Sequence, residues 1–287
     1  MEDHRASHSE NTEVFKTRDG ATLVGQLFRP EGSPRAAMLL NGATGVPQDY
    51  YRHFAAYAAQ VHDLVVMTYD YRDMARSAQS HVRGSTARMS DWGIADQEAA
   101  RAKLRRHYPG LPLWVLGHSL GGMTLPLQAD TTDIARVITV ASGNVRHTDH
   151  PWPYRALALM FWFGAGPIAT AALGYMPGKL LGLGADVPSP AYWQWRRWCT
   201  SRDTFGGETG RILPSVRWKN PQTEVKLIAF EDDDVIPPKC VALLAENYGR
   251  NKSDITILKP QTFGLREIGH IGAFARRNRA VWDSILM

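Results

Sequence analysis

The run Leu113-Trp114-Val115-Leu116-Gly117-His118-Ser119-Leu120-Gly121-Gly122 leaves the chain few ways to fold around it. A short apolar stretch reads as a buried strand and passes directly into Gly-x-Ser-x-Gly with a further glycine behind it. Glycines two positions either side of a serine leave room for a strand to turn abruptly into a helix, a strained bend that holds the serine hydroxyl out where a base can reach it. The pattern alone also arises in ordinary turns. The strand before it and the second glycine after it make Ser119 a candidate nucleophile.

A serine used in this way needs a base, and the base needs an acid to orient it. Downstream, Val225 to Phe230 reads as a buried strand that ends in Glu231-Asp232-Asp233-Asp234-Val235-Ile236-Pro237-Pro238, an acidic loop whose prolines suit the first turn of a helix. Ile255 to Leu258 reads as another strand, and the loop after it carries Glu267-Ile268-Gly269-His270-Ile271-Gly272. An acidic cluster before a helix is often only a favourable charge at its N-terminus, and a loop histidine is often only solvated. The order of serine, acid and histidine, each after a successive strand, gives the two features a joint meaning.

With these blocks, Asn41-Gly42-Ala43-Thr44-Gly45-Val46 and Asp70-Tyr71-Arg72, the chain resembles the α/β-hydrolase superfamily of serine hydrolases. Within it the chain is similar to bacterial hydrolases near the serine aminopeptidase and monoacylglycerol lipase branch. The resemblance runs from about Val14 to the C-terminus. It implies Ser119 as nucleophile, His270 as general base and Asp233, four residues before Pro237, as the orienting acid, with Asp232 and Asp234 as the alternatives. It also implies an oxyanion hole made of backbone N–H groups, from Leu120 after the nucleophile and from the loop after the third strand, where Ala43 is the first candidate and Thr44 the next. No metal or cofactor is implied. Two departures stand out: Asn41-Gly42 replaces the usual His-Gly, and Asp73 stands where many relatives continue Asp-Tyr-Arg with glycine.

Along the chain, strand-like and helix-like segments alternate. Glu13 to Lys16 and Thr22 to Phe28 flank Arg18-Asp19-Gly20 as a hairpin. Strands follow at Ala36 to Leu40, Leu64 to Tyr69 and Ala135 to Ala141, with helices around Gln48 to Gln60, Ser90 to His107 and from near Gly121. This predicts an α/β fold with a mostly parallel twisted sheet and helices on both faces, its site beyond the carboxyl ends of the strands. Residues 1–142 and 222–287 form the expected core, and residues 143–221 an inserted cap.

The expected cap holds six of the nine tryptophans, and Ala156 to Gly178 carries no charged residue. That stretch could span a bilayer by length. Its interruption by Gly164-Ala165-Gly166-Pro167, and its place inside one catalytic domain, favour a pair of cap helices first and an interfacial patch second. An aromatic cap suits a hydrophobic acyl substrate, whether ester or thioester. An acyltransferase or cyclase using the same residues, or a noncatalytic receptor on the same fold, are the alternative readings.

A net charge of +5 permits attraction to anionic surfaces, including a weak contact of the cap with a membrane or an acyl carrier protein as partner. The basic pairs Arg105-Arg106, Arg196-Arg197 and Arg276-Arg277 belong to no nucleic-acid module, so no nucleic-acid partner is expected. Two cysteines, Cys199 and Cys240, supply neither a disulfide framework nor metal-ligand spacing, and the polar start from Met1 to Asn11 lacks an apolar signal region. A cytoplasmic location is the expectation.

Overall fold

The computed structural model describes residues 11–216, 218, 220, 222–249 and 253–287. The polar start up to residue 10 and the cap boundary at Pro221 lie outside them. Eight strands form one sheet in the order β1-β2-β4-β3-β5-β6-β9-β10, where β1 is Thr12–Lys16, β2 Thr22–Phe28, β3 Ala36–Asn41, β4 Leu64–Tyr69, β5 Leu113–His118, β6 Ile134–Val140, β9 Glu224–Phe230 and β10 Ser253–Leu258. The β1/β2 hairpin and the β2/β4 pair are antiparallel. Every other neighbour pair, from β4 across to β10, is parallel.

Central strands β3, β4 and β5 are buried at every position, which is why their sequences are continuously apolar rather than alternating. Two hydrophobic clusters cover the two faces of the sheet. One joins Leu39, Val115 and Val137 to Trp92 and the cap residues Trp162 and Tyr192. The other joins Met38, Leu116 and Ile138 to Phe54, Phe274 and Trp282.

The helices depart from the expected spans for definable reasons. Gln48–Tyr51 is a 3-10 turn that precedes α1, Arg52–His62. The buried Asp70 carboxylate accepts hydrogen bonds from Gln48 N (2.8 Å) and Gln48 Nε2 (2.9 Å), holding that tighter turn. Asp91–Asp96 is a π-helical turn that runs into α2, Gln97–His107. Here Asp96, fully buried, accepts from Arg72 N (2.8 Å) and Arg72 Nε (2.7 Å), and Arg72 also reaches Asp19 (2.6 Å). The Asp-Tyr-Arg block is thus structural cross-bracing for the loop after β4. Asp73 adopts φ 59°, the left-handed conformation that glycine would take most easily, and its carboxylate accepts from Ser85 Oγ at 2.5 Å. Aspartate tolerates that region better than most residues, so the loop geometry survives the departure.

The helix expected from near Gly121 is a single turn, α3 (Leu120–Met123), followed by a 3-10 turn at Leu125–Leu127. Pro126 lacks the N–H that another α-helical turn would require.

Between β6 and β9 the chain leaves the sheet. α4 (Tyr154–Phe163) and α5 (Ala165–Leu173) are separated at Gly164, whose φ −121° and ψ −99° are non-helical. A two-residue antiparallel pair follows, β7 (Tyr175–Met176) with β8 (Val187–Pro188), and then α6 (Ser189–Thr200). Trp162 and Tyr192 stack at 6.2 Å, and Glu208 accepts from Gln194 Nε2, Arg197 Nε and Trp198 Nε1. These contacts hold the insertion together and join it to the cluster on that face of the sheet. It rests on the loop after β3, where Ala185 N donates to Gly45 O at 2.7 Å.

Candidate active site

Ser119 sits between β5 and α3 with φ 53° and ψ −114°, a conformation sparsely populated by residues with a side chain. The elbow glycines are dictated by contact as well as by flexibility. A Cβ on Gly117 would lie 2.4 Å from Gly122 N, and one on Gly121 would lie 2.3 Å from Asn41 O. Either overlap would push the turn apart. Ser119 N donates to Val140 O (3.0 Å), tying the elbow to the end of β6.

Opposite it, His270 lies in α8, a single turn from Gly269 to Gly272. His270 Nε2 is 3.0 Å from Ser119 Oγ, and His270 Nδ1 is 2.9 Å from Asp233 Oδ2. Asp233 is buried, and its other oxygen accepts from Val235 N and Ile236 N, both at 2.8 Å, which fixes the carboxylate plane. The helix after it, α7 (Pro238–Ala245), begins with proline as the sequence suggests. Of the three adjacent aspartates, Asp233 alone meets the imidazole. Asp232 does something different: its Oδ2 accepts from Ile268 N (2.7 Å) and Gly269 N (3.0 Å), anchoring the backbone that carries His270. Asp234 is exposed, and its backbone carbonyl meets His150 Nδ1 at 3.1 Å.

The loop after β3 requires one correction. Ala43 N donates to Tyr51 Oη at 2.9 Å, so the donor assigned to the oxyanion hole is already engaged behind the site. Thr44, the next residue, lines the cavity, and its N–H has no acceptor among the described residues. A tight turn points successive N–H groups in different directions, and the sequence does not reveal which one faces inward. On the other side Leu120 opens α3, where the first N–H groups of any helix lack intrahelical acceptors. Asn41, standing where relatives have histidine, accepts from Tyr69 Oη (2.9 Å).

Two buried residues that sequence reading passed over complete the setting. Besides receiving the Ala43 N–H, Tyr51 Oη is 2.8 Å from His118 Nδ1, and His118 Nε2 is 3.0 Å from His270 O. A carbonyl can only accept, so the His118 proton is on Nε2 and the Tyr51 hydroxyl donates to Nδ1. Burial, reinforced by the neighbouring His270, pushes the His118 pKa down to about 3, so the ring is neutral and every polar atom of the pair is satisfied. The signal available in the sequence was a lone histidine inside an apolar strand. Tyr51 gave none.

A cavity of about 960 Å³ opens over Ser119 and His270. Its walls come from Met123, from cap aromatics including Phe161, Trp162, Trp195 and Trp198, and from Val235 and Ile236 beside Asp233.

Residues 37–274 match the model of the alpha/beta hydrolase family. The chain belongs to that family. Human monoglyceride lipase is 27% identical to this hydrolase over 113 residues, which cover 39% of the chain and 35% of the lipase, so the match spans about a third of that relative's length. Among solved structures, a lipase in an open form superposes with a TM-score of 0.62 at 17% identity, covering 95% of each chain. An esterase from Exiguobacterium antarcticum gives 0.61 at 14% identity, covering 95% of this hydrolase and 97% of the esterase. A thermostable carboxyl esterase from Bacillus coagulans gives 0.59 at 16% identity, covering 96% of each. At these identities the likeness is one of fold.

His118 makes the acid stability of the hydrolase a readable quantity. Its folded pKa of about 3 lies below the ordinary 6.5, so between those values the unfolded chain binds a proton that the native state excludes. The contribution is fully present above pH 6.5 and is lost as pH falls through the window. Urea unfolding across that range is expected to show a steep loss of stability in the native protein and a shallower slope in His118→Asn; equal slopes would mean that the ring titrates normally.

Proposed function

We propose that the protein is a serine esterase or thioesterase that cleaves a hydrophobic acyl substrate through an acyl-enzyme. The observation that carries this reading is the unbroken pair of contacts from Asp233 to His270 to Ser119, 2.9 and 3.0 Å, at the floor of a largely apolar cavity. In the proposed reaction Ser119 Oγ attacks the acyl carbonyl carbon while its proton passes to His270 Nε2, and Asp233 stabilises the imidazolium. The carbonyl oxygen takes the negative charge, facing the N–H groups of Leu120 and Thr44. Collapse of the tetrahedral intermediate breaks the bond to the leaving alcohol or thiol, which takes the proton from His270. Water then repeats the sequence and frees the acid and Ser119.

A fluorophosphonate probe is expected to label the wild-type protein and not Ser119→Ala, with thermal unfolding of the two closely matched. Asp233→Asn should lower kcat by about 10³–10⁴-fold, because the wrong imidazole tautomer is then favoured. Asp232→Asn should cost less, acting through the His270 backbone and not through its ring. Labelling of Ser119→Ala, or a greater loss for Asp232→Asn than for Asp233→Asn, would overturn these assignments.

The cap tryptophans divide by position. Trp195 and Trp198 line the cavity, whereas Trp193 is 36% exposed and outside it. Trp195→Ala is therefore expected to shift the preferred acyl-chain length in a series of p-nitrophenyl esters and to raise KM, while Trp193→Ala leaves the profile as it was. An unaltered profile in both variants would assign the aromatics to cap stability alone.

A second reading concerns where the substrate is met. We propose that the cap touches lipid surfaces, because Phe163 on α4 and Ile168 on α5 are both more than half exposed and lie outside the cavity lining. The guanidinium of Arg196 lies over Phe163 at 5.2 Å, placing a cation beside this apolar face. Cosedimentation with vesicles containing anionic phospholipid should fall for Phe163→Ser combined with Ile168→Ser. Equal sedimentation of the double variant and the wild type would remove the cap from the contact.

A further inference from the structure

The wall of the cavity contains a feature that a purely hydrophobic acyl chain would not satisfy. Arg146 and Arg202 both line it, and neither guanidinium has a hydrogen-bond or ion-pair partner among the described residues. Arg146 Nε is wholly buried without an acceptor. Arg146 is half-buried and Arg202 exposed at the cavity wall, and the arginines with little exposure elsewhere are engaged: Arg72 by Asp19 and Asp96, Arg101 by Asp133, and Arg136 by Glu224 and the carbonyls of the C-terminal residues. A partly buried cation without an acceptor is unfavourable in the free protein, and an anion delivered by a ligand would relieve it.

The two arginines also belong to one region. His147 N donates to Cys199 O at 2.8 Å, which fastens the segment carrying Arg146 to the end of α6, three residues before Arg202. The same segment leaves β6 just beyond Val140, whose carbonyl receives the Ser119 N–H, so one stretch of chain links the elbow to Arg146. The nearby carboxylate of Asp149 is otherwise occupied: it accepts from Arg146 N (2.9 Å) and lies 3.8 Å from Lys239 Nζ. Asp203, on the same wall, forms no ion pair with either guanidinium.

We infer that Arg146 and Arg202 form an anion-binding subsite, and that the acyl substrate carries an oxyanion, carboxylate or phosphate, remote from the scissile carbonyl. The inference rests on the acyl-hydrolase reading of Ser119 and deepens it by naming the substrate class. A guanidinium offers parallel N–H donors in a planar fork that match such a group, and its attraction strengthens where aromatic walls exclude water. A neutral chain in the same place would desolvate the arginines and return nothing. The subsite therefore selects by rejection as well as by attraction.

The test compares p-nitrophenyl monoesters of dicarboxylic acids with p-nitrophenyl esters of monocarboxylic acids of equal length, from four to ten carbons, and adds ω-phosphorylated acyl esters as a third arm. Wild-type protein is expected to prefer an anionic series by about tenfold or more in kcat/KM at one matching length. Arg146→Gln should cut that ratio about tenfold, mainly through KM, and Arg202→Gln should cut it less, since Arg202 is the more exposed of the two. A preference for carboxylate over phosphate, or the reverse, identifies the group. Equal turnover of neutral and anionic esters by the wild type would overturn the inference while leaving the hydrolase reading intact, as would an equal loss of both in Arg146→Gln.

A binding measurement separates the two readings from the other side. The free dicarboxylate of the preferred length is expected to raise the Tm of Ser119→Ala protein and to lose that effect when Arg146→Gln is added. If no ester is turned over and the dicarboxylate still stabilises in this Arg146-dependent way, the subsite stands and the acyl-hydrolase reading falls. Absence of Arg146-dependent stabilisation by both the dicarboxylate and the ω-phosphorylated acid of equal length counts against the subsite whatever the kinetics show.

Discussion

The backbone's reversal at Ser119 is the constraint on which the rest of the site depends. Three glycines around it are in close contact, Gly117 with Gly122 within the elbow, Gly121 with the Asn41 carbonyl at the end of β3, and Gly122 with the Ser142 hydroxyl just beyond β6. The elbow is therefore a close-packed junction of β3, β5 and β6, and not a loop with spare room. A packed junction can hold a residue at φ 53° because relaxing that one angle would disturb three strands together. The Ser119 side chain is aimed by the sheet itself. Its position does not rely on the cap.

Around this junction, carboxylates that are buried or, for Asp232, half-buried hold the loops in place. Asp70 ties the turn before α1 to the end of β4, Asp96 ties Arg72 to the π-helical turn, Asp232 ties the His270 loop to the end of β9, and Asp233 holds the imidazole. Each accepts at least one backbone N–H, and charge-assisted bonds of that kind are stronger than those between neutral groups. Tyr51 and His118 add a neutral link. Through them the Ala43 N–H of the loop after β3 is joined to the backbone carbonyl of His270, across the floor of the site. Loops that arrive from four different strands are thereby fixed relative to one another by polar contacts with almost no exposure to water.

Much of this was legible in the sequence, and what was not has a physical explanation. The strands could be read because β3, β4 and β5 are buried at every position and β6 and β9 over their later residues, so that each carries an apolar run. The elbow could be read because only glycine fits at its flanks. Helix lengths were less legible: the π-helical turn at Asp91–Asp96 answers to a tertiary partner, Arg72, and no local pattern encodes it. The same holds for the loop after β3. Whether the N–H of Ala43 or that of Thr44 faces the cavity is decided by a tyrosine hydroxyl eight residues away, a contact that composition and spacing do not express. The unpaired state of Arg146 and Arg202 was equally hidden, since a sequence shows charges but not their partners.

The apolar character of the insertion has two sources that the sequence merged into one. Trp162, Trp195 and Phe161 face inward and line the cavity, Phe161 and Trp162 packing against Tyr192, while Phe163 and Ile168 face outward. A single helix of 20 residues from Tyr154 to Leu173 would satisfy the length requirement for a bilayer span, yet the helix is interrupted at Gly164. Packing explains why the break falls there. A Cβ on Gly166 would lie 2.2 Å from Phe161 O and 2.3 Å from Tyr192 Oη, so the second helix comes close to the end of the first only because its first turn carries no side chain at that position. The interrupted pair brings inward aromatics to the wall of the cavity over Ser119 and leaves Phe163 and Ile168 on the other side. Being hydrophobic on every side, which in sequence suggests a membrane span, is here the consequence of one thin layer having to face both a cavity and the outside.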